Sequence, residues 1–281
     1  MKIIRGKSEM RAWSLERRCA GDSIGFVPTM GALHEGHASL MRASAKENRV
    51  TVASIFVNPT QFAPHEDFNA YPRTFEDDCR IAEDMGVTAI YAPEKVSLYP
   101  DGYATYVNVE GLSEGLCGRS RPIFFRGVAT VVTKLFNTVL PDRAYFGMKD
   151  AQQCAVIRRM TRDLDFGIEI IELPTVREPD GLAMSSRNRY LTPEERAQAL
   201  AISRGLFKAE SQMKAGERSA ESILKTVRDE MAGLNIDYIE LVDADTIQPL
   251  ERVEGRALLA AAAWVGKARL IDNIQYEVPT S

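Results

Sequence analysis

Ile24-Gly-Phe-Val-Pro-Thr-Met-Gly-Ala-Leu-His-Glu-Gly-His37 is the stretch from which the rest of the chain can be read. Ile24 to Val27 is an apolar run that breaks at Pro28; a glycine-containing loop follows, and an amphipathic helix begins near Gly36. The order is strand, tight turn, helix N-terminus. Such a terminus offers unpaired backbone N–H groups and a positive dipole end, which suits phosphate. His34 and His37, three apart, share one face of the first turn, and they are two of only three histidines in the chain. A nucleoside triphosphate site is the first expectation.

Upstream, residues 8–20 read as a polar helix. Downstream, Val50–Val57 is β-branched and almost wholly apolar, as expected of a parallel strand covered on both faces. Asn58 to Pro72 is a loop by its prolines and polar residues. Thr74–Met85 reads as a helix with a Thr cap and early acids, Glu76, Asp77 and Asp78, matched to its dipole. Val87–Ala92 is a further strand, so the order βαβαβ implies right-handed crossovers and a parallel sheet. A strand at Thr105–Val109, a helix at Gly127–Leu140, a strand at Arg143–Phe146, a helix at Ala151–Leu164 and a strand at Ile168–Val176 follow. After Glu178-Pro-Asp-Gly181 the character changes to helices near 193–214 and 219–232, then strands near 237–242, 256–265 and 268–273. The expected architecture is α/β: a Rossmann-type parallel-sheet domain over 1–176 and a smaller α+β C-terminal lid domain over 177–281.

Composition narrows the function. The 281 residues suit about two domains, and the net charge of −4 with a pI near 5.6 leaves no basic footprint for nucleic acid. Four cysteines without a C-x-x-C pair indicate neither a disulfide scaffold nor a zinc knuckle. The N-terminus has no signal-like apolar core, and no window approaches the ~18 apolar residues that span a bilayer. A soluble, cytoplasmic protein with no membrane partner is expected.

Four groups of residues carry candidate chemistry. His34 and His37 are either polar helix-start residues, half of a metal site, or donors to phosphoryl oxygens that stabilise charge as pyrophosphate leaves. Zinc needs about four ligands, and His65 is the one remaining histidine, which argues against it. Gly147-Met-Lys-Asp150 is either a plain turn with Asp150 as helix cap, or a site where Lys149 meets ATP phosphates and Asp150 faces the nucleotide. Gly181-Leu-Ala-Met-Ser-Ser-Arg-Asn188 is an ordinary polar loop, or a segment whose Ser185, Ser186 and Arg187 close over a triphosphate. Asn58, Gln61, Tyr71 and Gln153 are surface amides and a packed tyrosine, or the holders of an acid substrate. Pro28, Met30, Val131 and Val132 would then supply an apolar wall, although both valines equally suit helix core. Asp77 and Asp78 are candidates for magnesium, but dipole-matched helix acids are the preferred reading.

The string Pro28-Thr-Met-Gly-Ala-Leu-His-Glu-Gly-His37 resembles the pantothenate synthetase (pantoate–β-alanine ligase) family, within the wider group of His-x-Gly-His nucleotidyltransferases and class I aminoacyl-tRNA synthetases. The resemblance extends through Asn58-Pro-Thr-Gln-Phe62, Tyr71-Pro-Arg73, Phe125-Arg-Gly-Val128, Asp150-x-Gln-Gln153 and Asp180-Gly-Leu-Ala-Met-Ser-Ser-Arg-Asn188. It implies ATP-dependent condensation of pantoate with β-alanine through a pantoyl-adenylate, with Mg²⁺, in a homodimer. His37 (as proton donor), His34, Lys149 and Arg187 would be catalytic. ATP would be held by Met30, Gly31, Ala32, Leu33, His34, Glu35, Gly36 and His37. Gly147, Met148, Lys149 and Asp150 would join them, with Val176, Met184, Ser185, Ser186 and Arg187. Gln61 and Gln153, with Asn58 and Tyr71, would bind pantoate; metal ligands are unassigned.

Two positions depart from the family pattern. Phe124 stands where the family commonly has histidine, and Met148 where it commonly has glutamate; lower turnover or altered affinity is the expected consequence. Two alternatives stay open at this point. One is a nucleotidyltransferase that adenylylates a phosphate-bearing substrate; the other is a non-catalytic nucleotide-binding module.

Overall fold

The computed structural model describes residues 1–64 and 66–278; His65 lies outside them. The chain forms two compact units. The first comprises Met1–Val109, Arg121–Met148 and Val156–Pro174, and the second takes Glu110–Ser120, Lys149–Ala155 and the chain from Thr175 onward.

In the first unit the elements run β1 (Lys2–Ile4), α1 (Lys7–Cys19), β2 (Ile24–Thr29), α2 (Glu35–Glu47), β3 (Val50–Ile55), α3 (Phe75–Asp84), β4 (Ala89–Tyr91) and the short α4 (Lys95–Leu98). After the four-residue helix α5 (Cys117–Ser120), which belongs to the second unit, come α6 (Phe124–Val139), β5 (Arg143–Gly147), α7 (Ala151–Asp163), whose start through Ala155 belongs to the second unit, and β6 (Glu169–Leu173). All pairings in the six-stranded sheet are parallel, in the order β1-β4-β3-β2-β5-β6. The sheet grows outward from β2 in both directions, so the strand order reverses between β2 and β5. In open α/β sheets that reversal, at the C-terminal strand ends, is where ligands bind. The His-x-x-His loop leaves the end of β2, and Gly147 ends β5.

β2 and β3 are apolar because both faces are covered: Val27 and Ala53 are fully buried with Leu40 and Met41 of α2, Ile90 of β4 and Tyr145 of β5. Two expectations are corrected. No strand forms at Thr105–Val109; the Val107 N–H donates to the Thr130 hydroxyl (2.9 Å) instead of to a ladder. Thr74 precedes α3 but does not cap it, since its hydroxyl donates to Asp78 Oδ1 (3.1 Å).

In the second unit, α8 (Pro193–Lys214) and α9 (Ala220–Glu230) precede an antiparallel sheet β7 (Asn235–Asp243), β8 (Arg256–Val265), β9 (Ala268–Glu277), in the order 7-8-9. Thr192 and Glu195 form a reciprocal capping box that sets the start of α8. The core joins Ile202 and Leu206 of α8, Ile223 and Val227 of α9, and Leu241 and Leu259 of the sheet.

Candidate active site

The loop after β2 is held by one buried carboxylate. Asp78 of α3, 1 % exposed, accepts from the N–H groups of Ala32 (3.0 Å) and Leu33 (2.8 Å) and from the Thr74 hydroxyl. The Thr29 hydroxyl donates to the Ser54 carbonyl (2.7 Å) and accepts from Gly31 N–H (3.1 Å). Gly31 turns here at φ 83°, and a Cβ on it would come within 2.9 Å of Asp78 Oδ2. Asp78 is therefore more than a helix-dipole acid: it uses two consecutive loop donors and delivers His34 to the start of α2. Asp77 is the exposed neighbour, paired with Arg80.

His34 is the N-cap of α2. Its Nδ1 accepts from Gly36 N–H (3.1 Å), while His37 Nδ1 accepts from His34 N–H (3.4 Å). The backbone donors expected to meet phosphate directly are thus partly occupied by imidazole nitrogens. The consequence follows from tautomer chemistry: with Nδ1 accepting, each neutral ring carries its hydrogen on Nε2. The ring centroids lie 4.2 Å apart at a tilt of 42°, so the two imidazoles stand side by side at the helix start. Glu35 is exposed and pairs with Arg42.

Near this loop stand three of the expected acid-binding residues. Gln61 is 6 % exposed; its Oε1 accepts from Asn58 Nδ2 (3.0 Å) and its Nε2 meets Met30 Sδ (3.1 Å). Asn58 commits its whole amide to the protein. Its Nδ2 also donates to the Gly127 carbonyl (3.1 Å), and its Oδ1 accepts from Thr60 Oγ1 (2.9 Å) and Tyr99 OH (3.0 Å). Burial pushes the Tyr99 phenol up to about 12, against the Thr60 hydrogen bond, so it remains a donor at neutral pH. Tyr71 packs with Ala32 and Phe62 under the loop, with Met30 at the edge of the same cluster. Val131 and Val132 are buried in α6, and Pro28 is half-buried in β2.

In the second unit, Lys149 and Asp150 are half-buried in the turn before α7, and the Lys149 carbonyl accepts from Asn273 Nδ2 of β9 (2.8 Å). Gln152 is buried and ties the Glu110–Ser120 segment through Cys117 N–H (3.0 Å) and the carbonyls of Leu112 and Gly115. Its neighbour Gln153 is half-buried in the same turn. The Ser-Ser-Arg segment is built as a small hairpin. Met184 N–H donates to the Val176 carbonyl (3.0 Å), and Arg177 bridges Ala183. Ser185 then caps a single 3₁₀ turn over Ser186–Tyr190, accepting from Arg187 N–H (3.2 Å). Arg177 grips Asp272 with both terminal nitrogens (2.7 and 3.0 Å), and Asn188 donates to Glu178 (2.6 Å) and the Ala183 carbonyl (3.1 Å). Arg196 of α8 pairs with both Glu178 and Asp180.

Gly147 and Met148 close the first unit's stretch that begins at Arg121, and Lys149 and Asp150 open the second unit's Lys149–Ala155 segment. Met148 is half-buried. Phe124 is the first residue of α6, 9 % exposed, with the Arg121 guanidinium 3.9 Å from its ring centre. Sequence reading singled out neither Arg121 nor Arg177, since an arginine gives no sign in sequence of whether it faces solvent or an internal acid.

A parallel sheet with a phosphate-suited histidine pair at its strand reversal defines a nucleotide-binding α/β enzyme. Comparison with known proteins narrows this. The family model for pantoate-beta-alanine ligase matches residues 2–275. Pantothenate synthetase of Moorella thermoacetica is 56 % identical over 281 residues, covering 99 % of each chain, and that of Pseudothermotoga lettingae is 55 % identical over 276 residues, covering 97 % of this chain and 98 % of the relative. Among solved structures, pantothenate synthetase from Thermus thermophilus superposes with a TM-score of 0.92 at 42 % identity, covering 98 % of this chain and 99 % of that one. Pantoate-beta-alanine ligase from Francisella tularensis, complexed with beta-gamma ATP and β-alanine, gives 0.77 at 33 %, covering 98 % and 97 %. The chain belongs to the pantoate–β-alanine ligase family.

Proposed function

We infer that this chain condenses pantoate with β-alanine at the expense of ATP. The carboxylate of pantoate attacks the α-phosphorus, displacing pyrophosphate and giving pantoyl-adenylate. The β-alanine amine then attacks the acyl carbon, giving pantothenate and AMP. Both displacements need alignment and stabilisation of developing negative charge, and neither needs a covalent enzyme intermediate. The observation that carries this reading is the locked pair His34–His37 on a chain of this family. Two Nε2–H donors, fixed by backbone hydrogen bonds, are suited to phosphoryl oxygens without having to transfer a proton. A proton-donor role for His37 uses the same Nε2–H.

The first unit supplies the histidine loop Met30–His37 and the acid-binding Gln61. Asn58 and Tyr71 act in this reading by holding Gln61 and the loop. The second unit supplies Lys149, Asp150, Gln153 and the hairpin Val176–Arg187, where Ser185, Ser186 and Arg187 are donors suited to phosphate. Among the described residues no group of three or more His, Cys, Asp or Glu side chains is placed to hold a metal ion. Mg²⁺, which the resemblance implies, would enter on the nucleotide phosphates, its usual mode of binding, where it supplies charge neutralisation. A homodimer, expected from the resemblance, belongs to the same proposal and is read by sedimentation equilibrium. Cytoplasmic location is proposed with it; among the described residues no helix is long and apolar enough to cross a membrane.

The test is pyrophosphate release from ATP and Mg²⁺. With pantoate alone a single-turnover burst is expected, becoming steady turnover when β-alanine is added. Release that ignores both pantoate and β-alanine, or none at all, would overturn the reading in favour of another acceptor or a binding module.

A further inference from the structure

Arg121 lies three residues before α6, and its guanidinium is held on three sides. Nε and Nη2 donate to Glu66 Oε1 (2.5 Å) and Oε2 (2.8 Å), Nη2 donates to the main-chain carbonyl of Gln61 (3.2 Å), and the face of Phe124 lies beneath Cζ. This is not a solvated surface pair, for the two side chains are 14 % and 17 % exposed. Glu66 also accepts from Ala63 N–H (2.9 Å). Burial raises the Glu66 carboxyl, but the Arg121 hydrogen bonds and charge and the Ala63 N–H outweigh it and hold the group below its usual value. The acid is charged throughout the neutral range.

What this guanidinium touches on the loop is Gln61 itself. The opposite side of Gln61 is fixed as well: Asn58 Nδ2 grips its Oε1, and one turn into α6 Gly127 abuts the loop so closely that a Cβ would overlap the Thr60 carbonyl oxygen and come within 2.6 Å of Gln61 N. The main chain of Gln61 is thus clamped between Arg121 and α6, and its side chain is aimed by Asn58. A planar, delocalised guanidinium can stack on a ring while its fork grips a carboxylate; an ammonium cannot do both. Phe124, at the position where a histidine was expected, supplies that ring.

We propose that Arg121, stacked on Phe124 and paired with Glu66, is a positioning residue for Gln61 and through it sets the affinity for the hydroxy-acid substrate. The proposal rests on the reading of Gln61 as a pantoate ligand. Steady-state pyrophosphate release tests it, with separate KM values for pantoate, ATP and β-alanine, alongside thermal melting. Arg121→Lys keeps the charge but loses the fork and the stack. It is expected to raise the pantoate KM about tenfold or more while the ATP KM stays within about twofold. Phe124→Leu should give the same split, Phe124→Tyr should restore the unsubstituted values, and Glu66→Gln, a milder change, should move pantoate KM in the same direction. An unchanged pantoate KM in Arg121→Lys, or equal rises for pantoate and ATP, would overturn the proposal. Failure of the functional reading looks different: the unsubstituted protein would show no pantoate-dependent release, before any variant is made.

Discussion

Asp78 shows how one side chain can decide whether the histidine pair is in place. It accepts from two consecutive N–H groups of the loop that leads to His34. Asp78→Ala would leave two buried donors unsatisfied, at about 1–3 kcal/mol each, and Asp78→Asn would lose one acceptor site and the charge. Chemical denaturation should show a loss of about 2–6 kcal/mol for the alanine variant and a smaller loss for the asparagine variant. Adenylate formation should fall in both. At His37 the expectation is the reverse: His37→Ala, and equally Lys149→Ala, should leave the melting temperature close to that of the unsubstituted protein. Each should lower pantoate-dependent pyrophosphate release by about 10²-fold or more; wild-type rates in both would remove them from the catalytic assignment. The histidines were legible because their spacing and rarity single them out. Asp78 was not, because Glu76, Asp77 and Asp78 look alike as helix-start acids. The available signal was its place four residues before Ala82, on the face of α3 that turns inward.

At the scale of elements, the hairpin that carries Ser185, Ser186 and Arg187 depends on a pair outside it. Arg177 reaches across to Asp272 of β9, which is 4 % exposed, and stacks on Phe207, its Cζ 4.6 Å from the ring centre. Removing one member of a buried ion pair leaves the other charge uncompensated, which typically costs about 3–5 kcal/mol. Arg177→Ala should therefore loosen the hairpin, and the Met184 amide, bonded to the Val176 carbonyl, should exchange with deuterium faster. Unchanged protection at Met184 would show that Asn188 and Arg196 suffice to hold it. The long helices and the covered strands were readable from periodicity, because each buries a continuous apolar face. Two short stretches were not. Lys2–Ile4 is a three-residue strand beside β4, too brief to show alternation. Thr105–Val109 alternates like a strand but finds no ladder, its Val107 N–H going to a side chain of α6.

Across the whole molecule, a sequence-based boundary near residue 176 captures a change in composition. The two excursions Glu110–Ser120 and Lys149–Ala155 carry no such change: Gln152 ties them to each other, and Asn273 on the Lys149 carbonyl, with Arg119 on Glu240 and Ser120 on Asp237, ties them to the rest of the second unit. The same molecule-wide view yields its pH behaviour. On the acid side, Glu66 and Asp180 sit below their ordinary values of 4.5 and 3.8: burial raises each, and guanidinium and N–H donors outweigh it. A depressed carboxyl stabilises the fold above its unfolded value, and that stability is lost as pH falls through the folded one. On the alkaline side, burial pushes Tyr91, Tyr99 and Tyr145 from 10 up to about 12. A phenol raised in this way contributes fully below its unfolded value and loses its contribution as pH climbs from 10 toward 12. Urea midpoints should therefore form a plateau between about pH 5 and pH 9.5 and fall on both sides. Tyrosine absorbance should show a step near 12 from Tyr91, Tyr99 and Tyr145, coinciding with loss of the far-ultraviolet circular dichroism signal. A single step near 10 with the fold intact would show that these three phenols ionise without resistance from the protein, and that its alkaline limit lies elsewhere.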